Sequence, residues 1–198
     1  QAPLFFAASR GHHADVGGIA PGSLPSTSRR LEEEGVLIRA ERLTSGGRMH
    51  EDRLREIFAA GPYPARNIDQ NLRDLSAQAA ANERGRKLLE ELALREGPDV
   101  VLAYMKHIQS YAAGAVRRLL AQLRDGEAER VLDNGLRIRV RVRVLREQER
   151  LELDFTGSSP PHEGNFNAPL SVVHAAVFYV MRTLLADDIP LNAGCLEP

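Results

Sequence analysis

Cysteine is almost absent from this sequence of 198 residues, since Cys195 is the only one. A single cysteine cannot form an internal disulfide, and nothing in the sequence resembles a cysteine zinc cluster. This usage fits a reducing compartment, and we expect a cytoplasmic protein. Cys195 is also a poor candidate for a nucleophile, because no glycine-rich turn surrounds it and no particular histidine is implicated.

Long apolar runs and an excess of one charge are missing as well. No stretch reaches the roughly 18 continuous apolar residues that cross a bilayer. The 26 basic side chains are balanced by 27 acidic ones, and lysine occurs only at Lys87 and Lys106. We therefore expect neither a membrane nor nucleic acid as a partner. With 43% apolar residues the chain can bury a core, which excludes wholesale disorder.

The pattern of glycine, proline and apolar residues predicts an α+β fold in three parts. Residues 1–48 are a strand and loop segment dense in glycine and proline, opened by an apolar run over residues 3–8 that is typical of a buried strand. Residues 49–125 are helical. Residues 126–198 contain an antiparallel β-meander, an asparagine-rich loop and a helix from about Leu170 to Ala186. Since the chain begins without methionine and ends in a loop, we expect an internal fragment of a larger catalytic subunit.

Three helices are predicted in the second part. A short one runs from Glu51 to Ala60, and two long ones lie on either side of Gly97-Pro98. Each long helix carries one narrow apolar seam, which in the first includes Leu72 and in the second Leu119. We expect the two seams to pack antiparallel as a helical hairpin, an arrangement more typical of a scaffold than of a cofactor site.

A hairpin is predicted around the turn signal at residues 133–135 (DNG). The strand behind it alternates apolar residues with arginines, which all fall on one face: Arg137, Arg139, Arg141 and Arg143. Such a row could bind phosphate or nucleic acid. The next strand offers Glu152 and Asp154 in the same alternation, so cross-strand ion pairs on a solvated face are the favoured interpretation.

Histidine and carboxylate side chains come together in residues 11–18 (GHHADVGG). Imidazole nitrogens and carboxylate oxygens are the usual ligands of divalent transition metals. On an extended strand neighbours point to opposite faces, so His12 cannot share a direction with both His13 and Asp15. Either His12 faces a site while His13 and Asp15 form a supporting pair behind it, or the reverse. A purely structural histidine and aspartate pair fits the pattern equally well.

Two asparagines, Asn165 and Asn167, lie in the loop of residues 164–169 (GNFNAP). Their amide groups suit recognition of an amide or imide substrate, and they equally suit Asx turns that shape the loop. The sequence contains neither a Walker-type phosphate loop nor a GxGxxG motif, so any nucleotide has to be held by another chain or segment.

Residues 11–18, followed by residues 21–25 (PGSLP), resemble the signature of the hydantoinase B/5-oxoprolinase family, whose usual form is HHADVGG and then PGSMP. Leu24 stands where methionine is usual. The resemblance continues in order over essentially the whole chain, through residues 33–35, 66, 67, 69, 74–82, 153–159, 165–169 and 190–194.

The resemblance implies a hydrolase acting on cyclic amides, of the 5-oxoprolinase or N-methylhydantoinase type. In this family an actin-like partner, the hydantoinase A type subunit or domain, binds ATP and phosphorylates the substrate oxygen. The B part then completes ring opening. The chain is accordingly expected to be a B-subunit fragment of a heteromeric enzyme, with a small cyclic amide as substrate and ATP bound by the partner.

The resemblance also implies roles for the site residues. In carboxylase relatives, a metal is held by an upstream GTHxxD motif and by a histidine of the HHADVGG segment, which corresponds to His12. Asp15 and His13 are then expected to support that centre in catalysis, and Asn165 and Asn167 to lie on the substrate side or to shape the loop. The upstream motif is absent here, so the divalent metal site is expected to be incomplete.

Two alternatives remain open at this point. The chain could belong to the alpha-type subunit of an ATP-dependent ketone carboxylase, or its helical hairpin could make it a non-catalytic assembly module. The first is distinguished by a requirement for ketone and bicarbonate, the second by activity that survives loss of His12.

Overall fold

The computed structural model describes residues 3–185 and 188–198, and the chain is divided into two compact units. The first unit runs to Pro98 and includes the loop Glu163–Phe166. The second comprises Asp99–His162 and Asn167–Pro198. Helices and antiparallel strands occur together, which confirms the predicted α+β class.

The first unit contains three helices and one small hairpin. The helices are α1 (Leu31–Glu34), α2 (Glu51–Phe58) and α3 (Ile68–Glu96), and the hairpin pairs β1 (Thr44–Ser45) with β2 (Arg48–Met49). Helix α3 begins where the Asn67 side chain accepts a hydrogen bond from the Gln70 backbone N–H at 3.1 Å. It ends at Gly97, whose φ of 88° is accessible to glycine.

The core of the first unit lies between α2 and α3. Leu54 and Phe58 of α2 are fully buried and contact Leu72 and Leu75 of α3 together with Ala65. Burying two large side chains from a helix of two turns contributes about 1.5 to 3 kcal/mol for each. This contact holds the start of α3 in place, and the start of α3 carries most of the candidate site.

Residues 3–15 contain no helix, and they form no hydrogen-bonded strand with any described part of the chain. Exposure alternates along much of the segment: Phe5, Ala7, His13 and Asp15 are half-buried, whereas Phe6 is 86% exposed. The prediction of a buried strand over residues 3–8 was therefore wrong. An apolar run indicates burial of both faces, and here only alternate residues are covered.

The second unit combines α4 (Pro98–Leu120), a three-stranded antiparallel sheet and α5 (Leu170–Leu184). The strands β3 (Gly126–Val131), β4 (Arg137–Leu145) and β5 (Arg150–Asp154) lie in that order, with Val142 opposite both Gly126 and Leu153. The predicted end of α5 at Ala186 lies outside the described residues.

The arginines of β4 form ion pairs with carboxylates on both neighbouring strands. Arg141 lies 3.5 Å from Glu127 on β3 and 3.6 Å from Asp154 on β5. Arg139 also pairs with Glu127, and Arg143 lies 3.8 Å from Glu152. The predicted cross-strand ion pairs are confirmed, and β3 supplies partners that the sequence analysis had not named.

The core of the second unit joins the end of α4 to α5 and to the last residues of the chain. It contains Ala112, Ala115, Val116, Leu119, Leu120, Met181, Ile189 and Cys195. Cys195 is only 6% exposed, so its thiol acts as a small apolar group of this core.

The seams of α3 and α4 are buried in part, and each contacts its own unit. Leu72 and Leu75 belong to the first core, and Ala112 and Leu119 belong to the second. The packing of the two helices on each other stays a prediction. Across the described residues, no helix is long and apolar enough to cross a membrane.

Candidate functional site

The glycines of the HHADVGG segment let the chain pass between two other stretches of backbone. Gly17 and Gly18 have φ values of 96° and 85°, which side chains rarely adopt. A Cβ on Gly17 would overlap the Tyr63 carbonyl oxygen, and one on Gly18 would lie 2.6 Å from that of Glu33. The loop is fastened at this crossing, since Gly18 N–H donates to Tyr63 O at 3.0 Å and Ile19 N–H to Glu33 O at 2.8 Å.

Asp15 is the centre of the hydrogen bonds inside this loop. Its Oδ1 accepts from the backbone N–H groups of Gly17 at 2.9 Å and Arg66 at 3.2 Å. Its Oδ2 accepts from Gly22 N–H at 3.1 Å and from Arg66 Nη1 at 2.7 Å. Burial raises the pKa of the Asp15 carboxyl, but the hydrogen bonds from Gly17, Arg66 and Gly22 outweigh it and hold that pKa below its ordinary value.

A carboxylate in this state is suited to holding structure. Its two oxygens offer about four acceptor sites, and four donors occupy them. The depressed pKa keeps Asp15 ionised, which makes it a poor acceptor for a proton. These contacts favour the supporting role that was expected for Asp15.

Arg66 joins the two ends of the loop. Besides Asp15, its guanidinium donates to the carbonyl oxygens of Gly18 at 2.7 Å, Ala20 at 3.2 Å and Gly17 at 3.3 Å. The planar fork of arginine can reach several acceptors that converge from one side, which a lysine ammonium cannot do with the same geometry. Ser23 closes the other side, because its Oγ accepts from Val16 N–H and donates to Gly17 O, both at 2.7 Å.

His13 lies on the helix side of the segment and contacts α3. Its Nδ1 is 3.1 Å from Asp74 Oδ2, and the other carboxylate oxygen accepts from Gln70 Nε2 at 2.8 Å. The His13 ring also meets the edge of Phe58, with centroids 5.9 Å apart. Asn71, on the same helix, donates from Nδ2 at 2.8 Å to the carbonyl oxygen of Asp15, which is two residues after His13. The His13 ring is thus held by a polar contact with α3 and by an aromatic contact with α2.

His12 points the other way and is exposed. Exposure therefore separates His12 from His13 and Asp15, which are half-buried, and a metal role for His12 stays a prediction. The supporting side chains do not pair with each other, however. His13 bonds to Asp74 and Asp15 bonds to Arg66, each by its own contact.

The expected metal can be tested against the donors that are present. Nowhere in the described parts of the chain do three His, Cys, Asp or Glu side chains come together as a metal site requires. His12 offers one imidazole, Asp15 has its acceptor sites filled, and His13 has one nitrogen committed to Asp74. These residues do not make up a coordination sphere by themselves, and we derive no step through a metal.

The two asparagines both form hydrogen bonds with backbone groups in the structure. Asn167 receives the backbone N–H of His162 on Oδ1 and donates from Nδ2 to the His162 carbonyl, both at 2.8 Å. Asn165 donates from Nδ2 to the carbonyl oxygen of Pro25 at 3.2 Å, which attaches its loop to the PGSLP segment within the first unit. Both observations favour the loop-shaping alternative over direct substrate recognition.

Sequence reasoning did not assign a role to the partners Arg66, Gln70, Asn71 and Asp74. Arg66 and Asp74 were part of the family resemblance, but nothing connected them with the histidine segment. The signal lies in helix spacing: positions 67, 70, 71, 74 and 78 share one face of α3 and all carry polar side chains. On α3 this polar stripe lies beside the apolar stripe that enters the core. Such a polar stripe indicates a helix face that contacts polar groups.

Comparison with known proteins agrees with the family resemblance of the sequence motifs. The family model described as hydantoinase B/oxoprolinase matches residues 1–198. The chain is 40% identical to a 5-oxoprolinase of Dictyostelium discoideum and 38% identical to one of Saccharomyces cerevisiae, over 98% of the chain in both cases. A crystal structure of an ATP-dependent caprolactamase from Pseudomonas jessenii superposes with a TM-score of 0.72 over 93% of the chain and 32% of its own length, at 23% identity, which indicates the same fold.

The α+β architecture and the matched motifs therefore agree with the family model. The chain belongs to the hydantoinase B/oxoprolinase family. The chain spans 16% of the length of these two relatives, so the activity of a whole enzyme is a matter for proposal.

Proposed function

We propose that this chain is the part of an ATP-dependent cyclic-amide hydrolase, of the 5-oxoprolinase type, that completes ring opening. The proposal is supported by the family and by identity of about 40% to proteins named 5-oxoprolinase over nearly the whole chain. The structural observation that carries it is the restrained His13, which has one ring nitrogen on Asp74 and the other unpaired in the described part of the chain.

The chemistry explains why such a histidine is needed. An amide carbonyl is a poor electrophile, and phosphorylation of its oxygen turns that oxygen into part of a leaving group. Water must then add to the carbon, and the C–N bond breaks so that the ring nitrogen leaves as an amine and an acyl phosphate remains. A second water hydrolyses the acyl phosphate to a carboxylate and inorganic phosphate. Addition of the first water releases a proton and departure of the amine takes one up, so a group able to accept and return a proton serves both.

The roles follow from the contacts. His13 is the candidate for moving that proton, because its Nδ1 is occupied by a carboxylate and its Nε2 has no partner among the described residues. Asp15 and Arg66 hold the loop that carries His13. Asn167 holds its own loop through a hydrogen bond to His162. Asn165 bonds to the Pro25 carbonyl oxygen of the PGSLP segment.

The nucleotide and the metal belong to this proposal as expectations from the resemblance. ATP would be bound by a hydantoinase A type partner, because the sequence lacks a phosphate-binding motif. When bound, a divalent metal lowers the pKa of coordinated water toward neutrality. His12 would supply one of its ligands, and the others would come from outside the described residues.

The test uses the intact enzyme that contains this chain, together with its A-type partner. ATP-dependent release of ADP and of an open-chain amino acid from 5-oxoproline, without bicarbonate, supports the proposal. Turnover that needs a ketone and bicarbonate would assign the enzyme to the carboxylases. Full ring-opening activity after His13→Ala would contradict the assignment of the proton-moving role to this segment.

A further inference from the structure

We propose that Asp74 is a positioning residue that fixes which ring nitrogen of His13 carries the proton, leaving Nε2 as the atom that acts. Its part in catalysis rests on the proposed function above, whereas the proton assignment does not. Asp74 lies 61 residues from His13 in sequence and was outside the expected site.

The hydrogen bond between His13 and Asp74 has a defined direction. An ionised carboxylate can only accept, so the 3.1 Å contact between Asp74 Oδ2 and His13 Nδ1 requires the hydrogen to lie on Nδ1. A neutral imidazole with hydrogen on Nδ1 has its lone pair on Nε2. The same arrangement orients the histidine base in catalytic triads, where a carboxylate holds the ring without taking its proton.

The Asp74 carboxylate is held in its orientation by neighbouring side chains of α3. Gln70 Nε2 donates to Asp74 Oδ1 at 2.8 Å from the preceding turn of α3. Gln70 is itself oriented by Arg73, whose Nη2 donates to Gln70 Oε1 at 3.2 Å. One carboxylate oxygen is thus assigned to Gln70, and the other is left for His13.

The Nε2 atom of His13 is not enclosed in the core. The His13 side chain is 14% exposed, and its ring lies in a T-shaped arrangement with that of the fully buried Phe58. Within the described residues, Asn71 Oδ1 is the one buried side-chain nitrogen or oxygen that lacks a hydrogen-bond partner. His13 Nε2 has no hydrogen-bond partner among the described residues either, but it is not among these fully buried atoms, so it is in contact with solvent water.

A single substitution reverses the proposed arrangement. In Asp74→Asn the amide oxygen is needed by Gln70, so the amide nitrogen turns toward His13 Nδ1 and becomes a donor. The hydrogen of the neutral ring must then move to Nε2. Asp74→Ala removes the partner without supplying a donor and should give a mixture of both forms.

The direct test is nitrogen NMR of the 198-residue chain labelled with 15N-histidine, at a pH where the rings are neutral. The His13 signals are assigned by their loss in His13→Gln. We expect hydrogen on Nδ1 in the wild type, on Nε2 in Asp74→Asn, and no change in Asp69→Asn, a control five residues earlier on α3 whose carboxylate pairs with Arg55. Hydrogen on Nε2 in the wild type would overturn the proposal even if every variant failed to fold.

The catalytic readout uses the intact enzyme with its partner. Asp74→Asn should lower kcat by about 10²- to 10⁴-fold with little change in KM, since general acid and base catalysis is worth that much. Asp69→Asn should keep kcat. If wild-type enzyme opens no cyclic amide, the proposed function fails and the NMR result still decides the role of Asp74. Normal kcat in Asp74→Asn with an inverted ring would overturn the catalytic role alone.

Discussion

Arg66 donates from Nη1 to Asp15 Oδ2 at 2.7 Å across 51 residues of sequence, and its own backbone N–H donates to Asp15 Oδ1. This pair closes the loop that presents the two histidines. The side chain of Asp15 is 15% exposed, so the pair is partly shielded from water. Loss of either member leaves donors or carbonyl oxygens of the loop without partners.

Asp15→Asn should lower the free energy of unfolding of the chain by about 2 to 3 kcal/mol. An asparagine at this position offers one oxygen where four donors converge, and its amide hydrogens face other donors. The measurement is urea unfolding followed by circular dichroism. Asp69→Asn, which breaks an exposed pair with Arg55, should change stability by less than about 1 kcal/mol. Equal effects of the two substitutions would contradict a special role for Asp15.

The same carboxyl predicts a pH dependence of stability. Its folded-state pKa lies below the ordinary value of 3.8, so its contribution is fully present above that value and is lost as the pH falls through the folded pKa. The difference in unfolding free energy between wild type and Asp15→Asn should therefore shrink as the pH is lowered from about 5 to below 3.8. Other acidic groups titrate in both proteins and cancel in the difference. A gap that widens toward acid would refute the assignment.

Gly17→Ala should destabilise the chain by more than Gly22→Ala. Both glycines have positive φ, at 96° and 80°, so both substitutions carry a backbone cost of about 1 kcal/mol or more. Only at Gly17 does the added Cβ overlap another backbone, that of Tyr63-Pro64, whereas Gly22 has open space around it. Comparing urea midpoints separates the steric effect from the conformational one. Indistinguishable midpoints would mean that the crossing can open without cost.

Glu127→Gln should have little effect on stability, although Glu127 contacts two arginines of β4. The ion pairs are exposed, and Arg139 and Arg141 lower the pKa of Glu127 mainly through the Arg139 hydrogen bond. Added salt should reduce the effect of the substitution in thermal unfolding. A large loss of stability that does not depend on salt would show that this face is buried, contrary to the structure.

Local patterns were enough to predict helices α2 to α5 and the β-meander with its charged face. Strand geometry also separated His12 from His13 and Asp15. The partners could not be predicted, because Asp74 and Arg66 meet His13 and Asp15 only after the histidine segment docks on α3, 61 and 51 residues away. The apolar run at residues 3–8 misled for a related reason: composition does not reveal that only one face of a segment is covered.

The proposed metal role of His12 predicts a loss of bound metal that neighbouring substitutions do not cause. In the intact enzyme His12→Ala should reduce the metal content, measured by elemental analysis after dialysis, because an exposed imidazole with no described partner is free to ligate. His174→Ala, which removes an exposed histidine of α5, is the matched control and should leave the content unchanged. Asp74→Asn acts on His13, not on His12, and should retain the metal while impairing turnover. Unaltered metal in His12→Ala would remove the ligand assignment and leave His13 and Asp74 as the chemically active pair of this segment.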